Sequence, residues 1–125
     1  MIKRILMIED NEQNRYMATF LLERNGYEVL TAQDGLSGIA MAEHCHPGLI
    51  LLDIQLPTMH GCDVAAALRK LKVLDGVPII AVTSYAMVGD REKALQAGCN
   101  GYIKKPINPD TFVTEMESFR SSPEE

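Results

Sequence analysis

The stretch LILLDIQLPTMHG, Leu49 to Gly61, decides the fold and raises the question of function. It opens on a short continuous apolar run, which is typical of a strand buried on both faces. The run ends at Asp53, and Pro57 and Gly61 mark the loop that follows. A strand suited to complete burial that ends in a carboxylate indicates a role for Asp53 at the edge of a sheet.

The rest of the chain alternates between strand and helix patterns. Apolar runs bounded by Gly, Pro or Asp predict further strands at Lys3–Ile8, Tyr27–Ala32, Pro78–Ser84 and Gly101–Lys105. Amphipathic segments between the strands predict helices at Gln13–Asn25, Leu36–His46, Asp63–Lys72 and Asp90–Ala97. A final helix is expected with Asn108 as its cap and Pro109 at its first position.

This alternation predicts an α/β fold, because strands separated by helices need crossover connections and give a parallel sheet covered on both faces. The first, third and fourth strands are the most apolar and suit central positions, whereas the second and fifth suit edges. The expected architecture is a single doubly wound, five-stranded parallel sheet of order 2-1-3-4-5. Its ligand crevice should lie between strands one and three, where the helices change sides.

Length, cysteine content and charge exclude several classes of protein. A chain of 125 residues suits one domain. Cys45, Cys62 and Cys99 are odd in number and form no CxxC pair, which favours a reducing compartment and a cytoplasmic location. The apolar run near the N-terminus is too short for a signal peptide or a membrane span. A net charge of −5 without a cluster of Lys or Arg argues against direct binding of nucleic acid.

Carboxylates end two neighbouring strands of this predicted sheet. Glu9 and Asp10 follow the first strand, and Asp53 ends the third. They would repel one another without a cation, and Mg²⁺ favours one or two carboxylates together with water and phosphate oxygens. The sequence therefore predicts a magnesium site at the carboxyl edge of the sheet.

Two further polar residues end strands at the same edge. Thr83 ends the fourth strand and Lys105 ends the fifth, which adds a hydroxyl and an ammonium group to the predicted metal site. Such a set can receive a phosphoryl group, with Asp53 as the nucleophile. Each residue alone has a simpler interpretation as a cap, a strand residue or a solvated charge. Their coincidence at one edge favours a site.

At this point the sequence resembles the receiver domains of two-component response regulators. The resemblance rests on four motifs that occur in order: IEDN, LLDIQLPTMHG, AVTSYA and YIKKPI. It implies a flavodoxin-like (βα)₅ receiver fold over residues 1–120, with residues 121–125 as a short polar tail. The general resemblance is to stand-alone, single-domain receivers of the DivK kind. A receiver fragment of a hybrid histidine kinase or of a longer regulator is the alternative.

The resemblance implies a phosphoacceptor rather than an enzyme that acts on a separate substrate. Asp53 would take a phosphoryl group from a phosphohistidine of a sensor histidine kinase or a histidine phosphotransfer protein, so that the domain catalyses its own modification and its own slow dephosphorylation. The Mg²⁺ ligands would be Asp10, Asp53 and the backbone carbonyl of Gln55, with Glu9 assisting through water.

The resemblance also implies how the signal leaves the site. Lys105, aimed by a cis peptide bond to Pro106, would pair with the phosphoryl oxygens, and Thr83 would donate a hydrogen bond to them. Tyr102 would then rotate inward and reshape the face of the fourth helix, fifth strand and fifth helix for a downstream protein. Tyr85 would flank the phosphoryl group and shield it from water.

Two other functions compete with this interpretation. A flavodoxin-like flavin-binding module is disfavoured because the chain has no glycine-rich phosphate loop, no Trp and few other aromatic residues. An aspartyl-phosphate phosphohydrolase would need a second acid two residues after its nucleophile, where this chain has Gln55.

Overall fold

A computed structural model describes residues 4–56, 59–84 and 89–119 of the chain. Strands and helices alternate along it. The strands are β1 (Arg4–Ile8), β2 (Glu28–Ala32), β3 (Leu49–Asp53), β4 (Ile79–Thr83) and β5 (Gly101–Lys104). The helices are α1 (Glu12–Arg24), α2 (Gly35–Cys45), α3 (Gly61–Arg69), α4 (Asp90–Gln96) and α5 (Phe112–Ser118), with a 3₁₀ turn at Lys72–Leu74.

The strands form one parallel sheet of order β2-β1-β3-β4-β5, which confirms the predicted fold and strand order. The register aligns the strands at their carboxyl ends. Ile8 of β1 pairs with Ala32 and Leu52, and Thr83 of β4 pairs with Lys104. Residues that end different strands therefore meet along one edge of the sheet.

Apolar side chains cover both faces of the sheet. In β3, Ile50 and Leu52 belong to the core on one face, and Leu49 and Leu51 belong to the core on the other. Every residue of β3 and β4 is buried, as the continuous apolar runs predict for central strands. Asp53 shares this burial because it is the last residue of β3.

The start of α5 differs from the prediction. The helix begins at Phe112, and Asn108 forms the turn that precedes it. The Asn108 side chain accepts a hydrogen bond from the backbone N–H of Asp110 at 2.9 Å. The Asn108 backbone carbonyl accepts hydrogen bonds from the backbone N–H groups of Thr111 and Phe112. The Asn-Pro pair therefore builds a turn instead of capping the helix directly, because Asn side chains favour both structures.

The third helix also has different bounds from those predicted. It begins two residues earlier, at Gly61, and ends at Arg69, so Lys72 belongs to the separate 3₁₀ turn. His60 caps its start, with Nδ1 accepting from the backbone N–H of Cys62 at 3.1 Å. Among the described residues, no helix is long and apolar enough to cross a membrane.

Candidate functional site

The polar residues at the strand ends are unusually buried for their type. Asp53 is 3% exposed, Glu9 is 5% exposed and Thr83 is 1% exposed. Asp10, by contrast, is exposed at the rim. Charged side chains are seldom buried unless they are paired, so these positions need compensating contacts.

A cation provides part of that compensation. Lys105, which directly follows β5, places Nζ 2.9 Å from Glu9 Oε1 and 3.4 Å from Asp53 Oδ2. Glu9, Asp10 and Asp53 can each offer a carboxylate oxygen, and these atoms lie within 4.8 Å of one another. Glu9 and Asp53 thus share one ammonium group and lie close to the third carboxylate, Asp10, which leaves an excess of negative charge in the cluster.

The pKa of Asp53 reflects its burial and its charged neighbours. Burial, the largest cause, raises its pKa above the usual 3.8, and the charge of Glu9 raises it further. A hydrogen bond from the Gln55 backbone N–H and the charge of Lys105 lower the pKa but do not offset the burial. A divalent cation bound beside these carboxylates would favour their ionised forms.

Backbone contacts hold the acidic residues in place. The Gln55 N–H donates to Asp53 Oδ1 at 2.9 Å, and the Asn11 N–H donates to Glu9 Oε2 at 3.2 Å. The loop after β3 returns so closely that a Cβ at Gly61 would lie 2.4 Å from the Cα of Ile54. Glycine is therefore required where this loop enters α3.

The cluster opens into a crevice of about 470 Å³ at the carboxyl edge of the sheet. Its walls include the predicted residues Glu9, Asp10, Asp53, Gln55, Lys105 and Pro106. The peptide bond between Lys105 and Pro106 is cis, and the Lys105 N–H donates to the carbonyl of Thr83 at 2.8 Å. Residues that follow β1, β3, β4 and β5 therefore line the crevice around Asp53.

A second cavity, of about 330 Å³, lies beside the first. Thr83 and Tyr102 both line it, together with Gln55 and residues of the loop before α3. Tyr102 is half-buried on β5, one residue before Ile103 in the core. Tyr85, predicted to flank the site, lies outside the described residues.

Comparison with known proteins assigns the family. The family model described as response regulator receiver domain matches residues 5–117. The chain belongs to this family. It is therefore a response regulator receiver of two-component signalling, and this receiver carries its acidic cluster at the predicted strand ends.

Relatives of known name agree with this assignment. The receiver is 41% identical over 119 residues to the polar-differentiation response regulator DivK of Brucella ovis, covering 95% of this chain and 97% of that protein. It is also similar to the chemotaxis protein CheY4 of Vibrio cholerae, with a TM-score of 0.90, 27% identity and coverage of 95% and 99%. A receiver domain of a Pseudomonas aeruginosa sensor histidine kinase gives a TM-score of 0.85 at 34% identity, with coverage of 95% and 98%, and its structure holds magnesium in the active site cleft.

Two residues near the site of this receiver escaped the sequence analysis. Arg15 Nη1 donates to the carbonyls of both Glu9 and Asp10 at 2.9 Å, which ties α1 to the acidic loop. Ser84 lines the crevice, where its hydroxyl donates to Gln55 Oε1 at 2.6 Å. Ser84 lies inside the AVTSYA motif, but only the three-dimensional contact identifies its partner.

Proposed function

We propose that this receiver is a phosphoacceptor in a two-component phosphorelay. Asp53 takes a phosphoryl group from a phosphohistidine of a sensor histidine kinase or a histidine phosphotransfer protein. The observation that carries this proposal is the cluster of Glu9, Asp10 and Asp53, which lines an open crevice with Lys105 paired to Glu9 and Asp53.

The donor set fits Mg²⁺, since it offers carboxylate oxygens close together on a partly open edge. Asp10 and Asp53 would be direct ligands, with the backbone carbonyl of Gln55 completing the protein's share and Glu9 acting through water. Bound Mg²⁺ supplies charge neutralisation at the phosphoryl oxygens. The magnesium in the related kinase receiver supports this assignment.

The side chains of this receiver have distinct roles in the transfer. A carboxylate oxygen of Asp53 forms the new bond to phosphorus while the bond from phosphorus to the donor imidazole breaks, and the imidazole leaves with its electron pair. Lys105 moves its charge from Glu9 and Asp53 toward the phosphoryl oxygens. This chemistry needs alignment and charge neutralisation more than covalent assistance.

Phosphoramidate tests this chemistry because its phosphorus–nitrogen bond stands in for phosphohistidine. We expect the mass of the wild-type protein to rise by one phosphoryl group in the presence of Mg²⁺, and to stay unchanged when EDTA removes the metal. Labelling at the same rate with EDTA would contradict the magnesium-dependent mechanism.

The output of this receiver is proposed to be conformational. Thr83 donates a hydrogen bond to the new phosphoryl group, and the ring of Tyr102 rotates into the adjoining cavity of about 330 Å³. This motion reshapes the face of α4, β5 and α5, which then binds a downstream protein. A tenfold preference for the modified state requires about 1.4 kcal/mol of differential affinity. We place this signalling in the cytoplasm, where free thiols such as Cys99 are stable.

Replacement of Thr83 by Ala separates the switch from the chemistry. The Thr83→Ala protein should still accept phosphate at Asp53 but lose most of the gain in partner binding. Calorimetry with the beryllofluoride-activated protein measures this gain. Equal gains for wild type and Thr83→Ala would show that the signal leaves by another route.

A further inference from the structure

Two loops at the mouth of the crevice are joined by a contact that the motifs do not assign. Gln55 Oε1 accepts a hydrogen bond from Ser84 Oγ at 2.6 Å and a longer one from the Ser84 backbone N–H at 3.4 Å. Gln55 lies in the loop between β3 and α3, and Ser84 directly follows β4. Both residues line the crevice with Asp53. We name this contact in the lining of the crevice the Gln55–Ser84 clasp.

Burial does not impose the clasp. Ser84 is exposed, so water is available to its hydroxyl and its backbone N–H as an alternative partner. Gln55 has a fixed backbone, because its N–H donates to Asp53 Oδ1 at 2.9 Å. The Gln55 side chain therefore contacts Ser84 while the Gln55 backbone is hydrogen-bonded to the proposed phosphoacceptor, Asp53.

A phosphoryl group on Asp53 would compete with Gln55 Oε1 for the hydroxyl and backbone N–H donors of Ser84. It brings negatively charged oxygens into the crevice that Ser84 lines. Hydrogen bonds to charged acceptors are roughly twice as strong as those between neutral groups, so a phosphoryl oxygen is a better acceptor than the Gln55 carboxamide. Ser84 also follows Thr83 directly, and Thr83 is the residue proposed to move toward the phosphoryl group.

We propose that Gln55 is a positioning residue that holds Ser84 in the resting state, and that Ser84 exchanges Gln55 Oε1 for a phosphoryl oxygen when Asp53 is modified. This inference rests on the proposed function and adds to it a contact that opposes the switch. Loss of the clasp removes one neutral hydrogen bond from the resting state. The modified state then becomes easier to reach, by a factor of about two to ten.

Beryllofluoride, which stands in for the phosphoryl group, tests the exchange in the full-length protein. Its dissociation constant is measured in Mg²⁺ by NMR titration of ¹⁵N-labelled protein. Gln55→Met keeps the length of the side chain but removes the amide oxygen, and it should bind beryllofluoride about twofold to tenfold more tightly than wild type. Gln96→Met, an exposed change in the last turn of α4, is the matched control and should leave binding unchanged.

The double variant identifies Ser84 as the partner through which Gln55 acts. In a Ser84→Ala background, Gln55→Met should give a smaller gain, because the hydroxyl donor is already absent and only the longer hydrogen bond from the backbone N–H remains. The Ser84 backbone amide signal should differ between wild type and Gln55→Met in the free proteins, and this difference should shrink when beryllofluoride saturates both.

Two outcomes would overturn the clasp: beryllofluoride binding that is equal or weaker in Gln55→Met, or a gain of the same size in the Ser84→Ala background. The proposed function fails in a different way. In that case wild type would not bind beryllofluoride, or Asp53→Asn would bind it as tightly as wild type does.

Discussion

Lys105 is the cation that neutralises two buried carboxylates, so its removal should destabilise the magnesium-free protein. We expect Lys105→Met, which keeps most of the side-chain length, to lower the free energy of unfolding by about 3 kcal/mol. The ammonium group lies 2.9 Å from Glu9 Oε1 and 3.4 Å from Asp53 Oδ2, and these two side chains are only 6% and 3% exposed.

The magnitude follows from these distances. At an effective dielectric constant of about 20, the contacts of Lys105 with Glu9 and Asp53 are worth about 6 and about 5 kcal/mol, and most of this offsets the desolvation of the charges. In the variant the two carboxylates stay buried without the cation, and oxygens within 4.8 Å repel by about 3.5 kcal/mol or more. Uptake of a proton limits the loss, which leaves about 3 kcal/mol.

The pH dependence gives the variant a recognisable signature. Burial already raises the pKa of Asp53, and loss of Lys105 removes one of the causes that lower it. A folded-state pKa above the unfolded value means that the folded protein binds the extra proton, so the free energy of unfolding falls as the pH rises from 3.8 through the raised pKa. The deficit of Lys105→Met should therefore be largest near neutral pH and shrink as the solution is acidified.

Urea unfolding followed by far-ultraviolet circular dichroism, in EDTA and at several pH values, measures this deficit. Lys104→Met is the matched control, because Lys104 is the exposed neighbour at the end of β5. The reasoning is refuted if the two variants are equally stable, or if the deficit of Lys105→Met does not shrink on acidification.

Three further predictions test other parts of the structure. Asp10→Ala should weaken Mg²⁺ binding in an NMR titration, and unchanged affinity would contradict the role of Asp10 as a ligand. Because Asp10 is exposed, the same change should alter the free energy of unfolding by less than about 0.5 kcal/mol. Arg69→Met should lower the free energy of unfolding in urea by about 3 kcal/mol, because the Arg69 guanidinium donates to three carbonyls and one side-chain amide oxygen. Arg91→Met, at an exposed position, is the control, and an equal loss of stability in the two variants would refute this prediction. Burial raises the pKa of Cys99 to about 12. Iodoacetamide should therefore label the half-buried Cys62 before Cys99, as followed by mass spectrometry, and labelling of Cys99 before Cys62 would contradict this prediction.

The fold was predictable because the apolar pattern of each strand indicates how deeply that strand is buried. Continuous apolar runs in β3 and β4 require cover on both faces, and that requirement alone places them at the centre of the sheet. The exposed Glu28 and Thr31 correctly indicated that β2 is an edge strand. The start of α5 was mispredicted because Asn108 is equally suited to a cap and to a turn, and local sequence does not distinguish them.

The position of the site was predictable in part from the parallel arrangement of the strands. Parallel strands bring their carboxyl ends together, so Glu9, Asp53 and Lys105 could be placed at one edge before any contact was known. The sequence did not indicate which of the adjacent acids, Glu9 or Asp10, is buried. Contacts between distant loops, such as that of Ser84, have no periodic signal and appear only in three dimensions.

The central claim is that Asp53 is the phosphoacceptor, and the location of the added phosphoryl group tests it most directly. Wild type and Asp53→Asn are incubated with Mg²⁺ and phosphoramidate, and the modified peptide is identified by mass spectrometry. The account predicts a single, base-labile phosphoryl group on the peptide that carries Asp53, and no labelling of Asp53→Asn, whose amide keeps the shape but lacks the nucleophile. Labelling of Asp53→Asn at the wild-type rate, or modification of another residue, would contradict it.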